Sequence, residues 1–584
     1  MHPQSSYDFA FILFLIIINR PGYCNAIVLI MKKILSLLVA LISFFPSYSQ
    51  EKEDHNFEVA KNLEIFNVLF KNLDMMYVDT IDANRLIGTG INAMLQQLDP
   101  YTVYYPESND LKAFITGKYA GIGAVIRYHM KRKNAVIDEP YFNTPSQEAG
   151  LKKGDVILSI DDSTMAGKDT KYVSEHLRGD AGTSFMLKIL RPSTNKIMQM
   201  KITRRTIQQM PTIPYYGMRE DSIGYIYLTQ FVEGCAKEVR RAFIDLKKQG
   251  MKKLVLDLRN NGGGSEQEAA NLVNLFVPRG ITVVSNRGKL PRSNHEYKTT
   301  VEPLDSVMPV VVLVNDATAS SSEITSGALQ DLDRAVILGT RTYGKGLVQL
   351  PMDLPYNTQM KLTTGKYYIP SGRCIQAINY KRGVGEVADH IPDSLTHVFY
   401  TCNGREVRDG CGIMPDVEVR PDSLPNIAYY LSASGHDSTE VMFDYVVDYI
   451  SSHPTIPHPS EFSISDAEYE DFCQRVIKSG FTYDPESEKA MKSLKKLMEF
   501  EGYYEDARPE FEALAKKLEH NLERDLKRHQ DVIRNILADD IISAYYYQSG
   551  AVEYSLKHDK QMKEACRLLN HLDEYHRLLH PAKP

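Results

Sequence analysis

The run Pro309-Val310-Val311-Val312-Leu313-Val314 limits the possible folds more than any other stretch. It is apolar and largely β-branched, so it reads as a buried strand. Small polar residues follow, Asn315-Asp316-Ala317-Thr318-Ala319-Ser320-Ser321-Ser322, and Glu323 to Leu332 then reads as a helix. This is a tight strand-to-helix turn with N-cap chemistry. A nucleophile held there lies beside helix N–H groups that have no partner and are able to hold a developing oxyanion. Leu254–Leu258 and Ala335–Gly339 are further apolar strands. With helices between them they predict βαβ units in a mixed, mostly parallel sheet, with chemistry at the strand C-terminal ends. Ser320 follows one strand and Lys345 the next. The pair suggests a Ser–Lys site, set against the plainer roles of a helix-cap serine and a solvated lysine.

Gly339-Thr340-Arg341-Thr342-Tyr343-Gly344-Lys345 fits the first seven positions of a P-loop. The eighth is Gly346, where a hydroxyl is needed for magnesium, and Leu347-Val348-Gln349-Leu350-Pro351 does not read as the helix that would face phosphate. The nucleotide reading is rejected. A formal charge of −6 argues against nucleic acid as the main partner. No CxxC or Cys/His cluster predicts zinc, and no cofactor or metal is expected.

The block Thr318-Ala319-Ser320-Ser321-Ser322-Glu323, with Gly344-Lys345-Gly346-Leu347-Val348-Gln349 and the upstream Asp257-Leu258-Arg259-Asn260-Asn261-Gly262-Gly263-Gly264, resembles the C-terminal processing peptidases, the tail-specific serine proteases of family S41. The resemblance covers roughly residues 60–420. It implies an α+β multidomain chain with a mixed α/β, ClpP/crotonase-like protease core. It also implies Ser320 as nucleophile, Lys345 as general base and Gln349 as the group orienting the lysine, with oxyanion donors from Gly263 and from Ser321, where the family usually has alanine.

Lysine chemistry fits these roles. A solvated lysine titrates near about 10.4 and is a poor base at neutral pH. Burial disfavours its charged form, and the neutral amine then accepts the serine proton. A Ser–His–Asp arrangement stays open from spacing alone, since triads assemble from distant residues, although none of the 16 His sits in a recognisable catalytic context. His390 and His397 read as surface or packing residues.

Residues 119–205 resemble a β-rich PDZ domain inserted before the core. Tyr119-Ala120-Gly121-Ile122-Gly123-Ala124-Val125-Ile126 matches a carboxylate-capturing loop and strand, and Ala149-Gly150-Leu151-Lys152-Lys153-Gly154-Asp155 matches a second PDZ segment. Amides of Gly121, Ile122, Gly123 and Ala124 would converge on a C-terminal carboxylate, and the strand edge would pair with the peptide. The implied partners are protein or peptide substrates with free C-termini.

Met31-Lys32-Lys33, the apolar Ile34–Phe45 and Ser47-Tyr48-Ser49 read as a secretory signal within residues 1–49, with translation starting at Met31. Export to the periplasm or cell envelope follows. Residues 50–118 read as helical, with Phe57, Leu63, Phe66 and Leu69 as a packing stripe; 206–420 is the peptidase core; 421–584 is a helical region with long helices at Glu510–Leu537 and Lys557–Leu579. Homo-oligomerisation through the helical regions is expected. Cys402 and Cys411 flank the Asn403-Gly404 turn and either bridge a hairpin or stay free. Two functions remain: an exported endopeptidase, or a non-catalytic PDZ tail-binding protein on an inactive protease scaffold.

Overall fold

The computed structural model describes residues 46–106, 118–208, 211–377, 393–433, 440–483, 486–518 and 521–580. The leader through residue 45, Cys24 and His390 lie outside them. The chain divides into two units, 1–91 and 92–584. The first carries the helix Pro46–Met76, on which Phe57, Leu63, Phe66 and Leu69 are exposed rather than packed in a core. The expected helical region ends at Gln96, because Asp99 accepts from the Tyr101 and Thr102 amides and turns the chain. Val103–Tyr105 then joins the protease core as a strand against Thr358–Tyr368.

The core is a six-stranded sheet ordered Tyr216–Met218, Ile223–Tyr227, Lys253–Asp257, Val310–Val314, Val336–Gly339 and Val417–Glu418. Only its first pairing is antiparallel. All five residues of Val310–Val314 are buried, as a central parallel strand requires when both sheet faces are covered. Helices Cys235–Lys248, Glu266–Val273 and Ser321–Asp331 cover one face around Val310, Val312 and Val314.

The opposite face is covered from the C-terminal helical region. Val311, Leu313, Val336 and Leu338 pack against Met562, Leu568, Leu569 and Tyr575. Tyr575 Oη receives the Val310 N–H and donates to the Val310 carbonyl, both at 3.0 Å. Helices Lys560–Asn570 and Leu572–Leu579, at the end of the helical region, therefore pack directly on the protease sheet. The predicted helix Glu510–Leu537 is three pieces, Arg508–Leu518, Leu522–Arg528 and Gln530–Ser555; Asn521 caps the second through the Arg524 N–H. A second cluster, including Ile427, Tyr445, Phe472 and Ile541, forms the helical region's own core.

In the PDZ region the strands run in the order Ala124–His129, Asn134–Pro140, Val156–Ile160, Ser184–Arg191 and Lys196–Thr203. Ala124–His129 is an edge strand. The Asn403-Gly404 hairpin forms between Val398–Tyr400 and Glu406–Arg408, and Cys402 and Cys411 are not joined in a disulfide.

Leu568→Ala should lower stability by about 2–5 kcal/mol in denaturant titration, as for other buried leucines. Leu497→Ala, at an exposed position on Glu486–Glu501, should change it by less than about 0.5 kcal/mol.

Candidate active site

Strand Val310–Val314 delivers the chain into the turn that carries Ser320. The serine has φ 56° and ψ −117°, outside the ordinary regions for a residue with a Cβ. Such strain persists only when the surroundings enforce it. Ser321 Oγ donates to the Gly264 carbonyl at 2.8 Å, and Ser322 Oγ to the Asn261 carbonyl at 2.9 Å. Both hydroxyls are buried and engaged in fixing the turn to the glycine loop. Ser320 is the half-buried serine of the three, which separates it from its neighbours as the candidate nucleophile.

Glu323, which reads in the sequence as a cap or surface residue, is fully buried and joins the two halves of the site. Its Oε2 accepts from the N–H groups of Ser320 at 2.8 Å and Lys345 at 2.9 Å. Its Oε1 accepts from Thr342 Oγ1 at 2.6 Å and the Gly344 N–H at 2.7 Å. The backbones of Ser320 and Lys345 thus meet at one oxygen atom. Tyr367 Oη adds a second tie, lying against the carbonyl oxygens of Ser320, at 3.3 Å, and of Lys345. Burial pushes the Glu323 carboxyl up to about 7, opposed by its hydrogen bonds from Thr342, Lys345, Gly344 and Ser320.

Lys345 lies on the loop before strand Leu347–Leu354, where a P-loop would have a helix. Its Nζ sits 5.1 Å from the centre of the Tyr101 ring. Burial, then the nearby Lys361 charge, pushes the amine down to about 8, against the pull of Glu323, Glu266 and Asp99. Tyr101 roofs the lysine, yet its Asp99-Pro100-Tyr101 segment reads only as a helix end in the sequence. Its distance from Lys345 along the chain gives no local signal.

Gln349 is on the same strand, but its Nε2 donates to the Leu347 carbonyl at 3.0 Å and to Thr363 Oγ1 at 3.3 Å, not to Lys345. Gly263 lies against the nucleophile: a Cβ there would meet the Ala319 carbonyl oxygen at 2.6 Å, Ser320 Cβ at 2.7 Å and Ser321 N at 2.8 Å, and its φ is +94°. Its N–H donates to Asn261 Oδ1 at 2.9 Å, so that expected oxyanion donor is engaged within its own loop. The Ser321 N–H heads the helix, where backbone donors have no intrahelical acceptor. Asp331, at the far end of that helix, pairs with buried Arg373 at 2.8 Å and is structural. His129 and His397 pair with Asp444 and Asp409.

In the PDZ loop two carbonyl oxygens are tied to the segment 141–146. The Ile122 carbonyl accepts from the Ser146 N–H at 2.9 Å. The Gly123 carbonyl accepts from Ser146 Oγ at 2.5 Å, Thr144 Oγ1 at 3.1 Å and the Tyr141 N–H at 2.9 Å. In a trans peptide the N–H points opposite to the carbonyl, so the amides of Gly123 and Ala124 are turned outward. Gly123 has φ +76°, and a Cβ there would strike Thr144 at 2.6 Å. Gly121 lies under the Tyr119 ring, with Arg178 stacked over that ring at 4.9 Å.

The profile of Peptidase family S41 matches residues 222–385, that of a PDZ domain residues 136–191, and one described as a probable PDZ-protease C-terminal helical domain residues 427–569. The chain is similar to a carboxy-terminal-processing protease of Bartonella bacilliformis, 34% identical over 378 residues that span 64% of this chain and 85% of the relative. It is also similar to a probable CtpA-like serine protease of Staphylococcus epidermidis, 30% identical over 363 residues, 60% of this chain and 72% of the relative. A solved photosystem II D1 C-terminal processing protease is 27% identical, with 62% of this chain and 88% of that one covered and a TM-score of 0.34.

Glu323→Gln places an NH2 group against two donors on one side of the carboxylate. At least about a tenfold loss of kcat is expected, consistent with about 1–3 kcal/mol for an unsatisfied buried group. Peptide hydrolysis with circular dichroism as a fold control checks it; unchanged kcat would show that Glu323 does not position the pair.

Proposed function

The chain belongs to peptidase family S41, the carboxy-terminal-processing serine proteases with a PDZ domain, and from that premise we propose that it is an exported endopeptidase working through Ser320 and Lys345. The observation that carries this reading is the single Glu323 oxygen shared by the Ser320 and Lys345 amides, with the lysine amine pushed down to about 8. The neutral Lys345 amine takes the Ser320 proton as Oγ attacks the peptide carbonyl. The resulting tetrahedral oxyanion is held by backbone N–H groups, with Ser321 as the first donor. Collapse breaks the C–N bond, and the lysine returns its proton to the leaving amine. Water, deprotonated by the same amine, then hydrolyses the Ser320 acyl-enzyme and regenerates the hydroxyl.

The amides of Gly123 and Ala124, with Gly121 and Ile122 shaping the loop, take the C-terminal carboxylate of the substrate. The free edge of Ala124–His129 receives its last residues as an added strand. Gln349 acts on the lysine through the strand that follows Lys345, on which it sits, rather than by direct contact. The leader at Met31–Ser49 directs export. Among the described residues no helix is long and apolar enough to cross a membrane.

Ser320→Ala should abolish hydrolysis of an unfolded protein substrate, and Lys345→Arg should do so with the fold intact, since a guanidinium does not deprotonate usefully. Full turnover by either variant overturns the assignment. In the wild type kcat/KM should rise with pH through an apparent pKa near 8 and fall about tenfold per unit below it, because only the neutral amine is a base. A flat profile from pH 6 to 9 would exclude lysine. Amidating the substrate's C-terminus should raise KM by about tenfold through loss of one carboxylate anchored by charge-assisted bonds; equal KM would remove the PDZ loop from substrate capture.

A further inference from the structure

The PDZ domain, the helical region and the core together line an open cavity of about 450 Å³ to which none of the proposed catalytic residues contributes. Its charges do not balance. Arg127 is held by Glu440 at 2.5 Å, and Lys153 is shared by Asp138 at 2.6 Å and Asp540 at 2.8 Å. Two further carboxylates line the same space. Glu139 comes from the PDZ strand Asn134–Pro140, and Asp539 from the helix Gln530–Ser555. Glu139 Oε1 and Asp539 Oδ1 are both shut off from solvent and have no hydrogen-bond partner. Buried acids in this state are normally paired. Burial pushes each up to about 7; Asp138 and Asp540 push Glu139 further up while Lys153 opposes, and Asp540 and Glu139 add to the rise at Asp539. The remaining wall is apolar, with Met442, Phe443 and Ile536.

We propose that this cavity binds an organic cation, a guanidinium or primary ammonium on a short apolar stem, with Glu139 and Asp539 as its two carboxylate partners. The volume suits a small ligand, and the walls supply an apolar body site with two acids among the lining residues. A hard divalent ion is a poorer occupant, since it needs six or more oxygen ligands. No group of three or more acidic, His or Cys side chains among the described residues forms a metal site. One acid belongs to the PDZ domain and the other to the helical region, so the bound cation joins the two. The chemistry is shared by a free polyamine derivative and by an arginine or lysine side chain of a peptide.

Calorimetry on the full chain carrying Ser320→Ala tests this at pH 8 and pH 6, with agmatine and with a blocked arginine peptide as probes. Saturable one-to-one binding of at least one probe at pH 8 is expected, and the probe that binds identifies the source. Binding should weaken at pH 6, where Glu139 and Asp539 take up protons, and by about tenfold or more in Glu139→Gln or Asp539→Asn. Absence of binding by both probes overturns the proposal, as does unchanged affinity in both variants. Uncharged butylurea serves as a control that needs no variant: if it binds the chain as tightly as agmatine, the carboxylates play no part and the proposal fails.

Discussion

One buried carboxylate holds the proposed catalytic pair in place. Glu323 offers two oxygens, and each is filled by two donors, which come from the Ser320 turn and the Thr342–Lys345 loop. Three of the four donors are backbone N–H groups, which have no freedom to turn away. A proton on the carboxyl would face one of them directly. The interaction therefore requires the ionised form, while burial pulls the other way and raises the pKa to about 7. The sign follows. A carboxyl raised in the folded state favours folding when protonated, and that contribution is lost as pH rises through about 7. At working pH the charge costs stability, and what it secures is position.

Position also explains the strained serine. Ser320 has a left-handed φ that only a well-tied turn sustains. The ties are Glu323 on its amide, Tyr367 at its carbonyl, and the hydroxyls of Ser321 and Ser322 on the glycine loop. The Ser321 hydroxyl thus adds a strut between the turn and the glycine loop. The same loop accounts for Gly263: its missing Cβ lets the chain pass within contact of Ser320.

Much of this was legible in the sequence because it is local. The apolar strand, the serine turn, the glycine run and the Gly-Lys-Gly loop lie in short stretches whose period and turn chemistry point one way. The mostly parallel sheet follows from the same signals, whereas the edge strand of the PDZ domain is what the family resemblance implies. The distant contributions were not legible. Tyr101 reaches Lys345 across more than two hundred residues, and nothing at Asp99-Pro100-Tyr101 marks a roof over an amine. Helices Lys560–Asn570 and Leu572–Leu579 were read as helical, but their amphipathic pattern does not say which surface they cover. The buried alternate face of Val310–Val314 demanded a cover, and only the structure identifies it. The break at Asn521 is a cap that competes with helix continuation, a balance decided by packing rather than by propensity.

The depressed lysine raises a further question, since three carboxylates lie close enough to pull its pKa upward. Each is occupied by neutral donors. Glu323 is filled as described. Glu266 accepts from Asn286 Nδ2 at 2.7 Å and from Tyr297. Asp99 accepts from the amides of Tyr101 and Thr102 and from the Thr102 hydroxyl. None is paired with the amine, so each attracts it from a distance without forming the direct ion pair that would lock the proton on. The Tyr101 face also favours the ammonium, but more weakly than a carboxylate in contact. Burial and Lys361 act against these pulls and outweigh them. A lysine in this setting stays close enough to neutral to accept a proton and near enough to charged to return it, as the proposed role in both halves of a peptide hydrolysis requires.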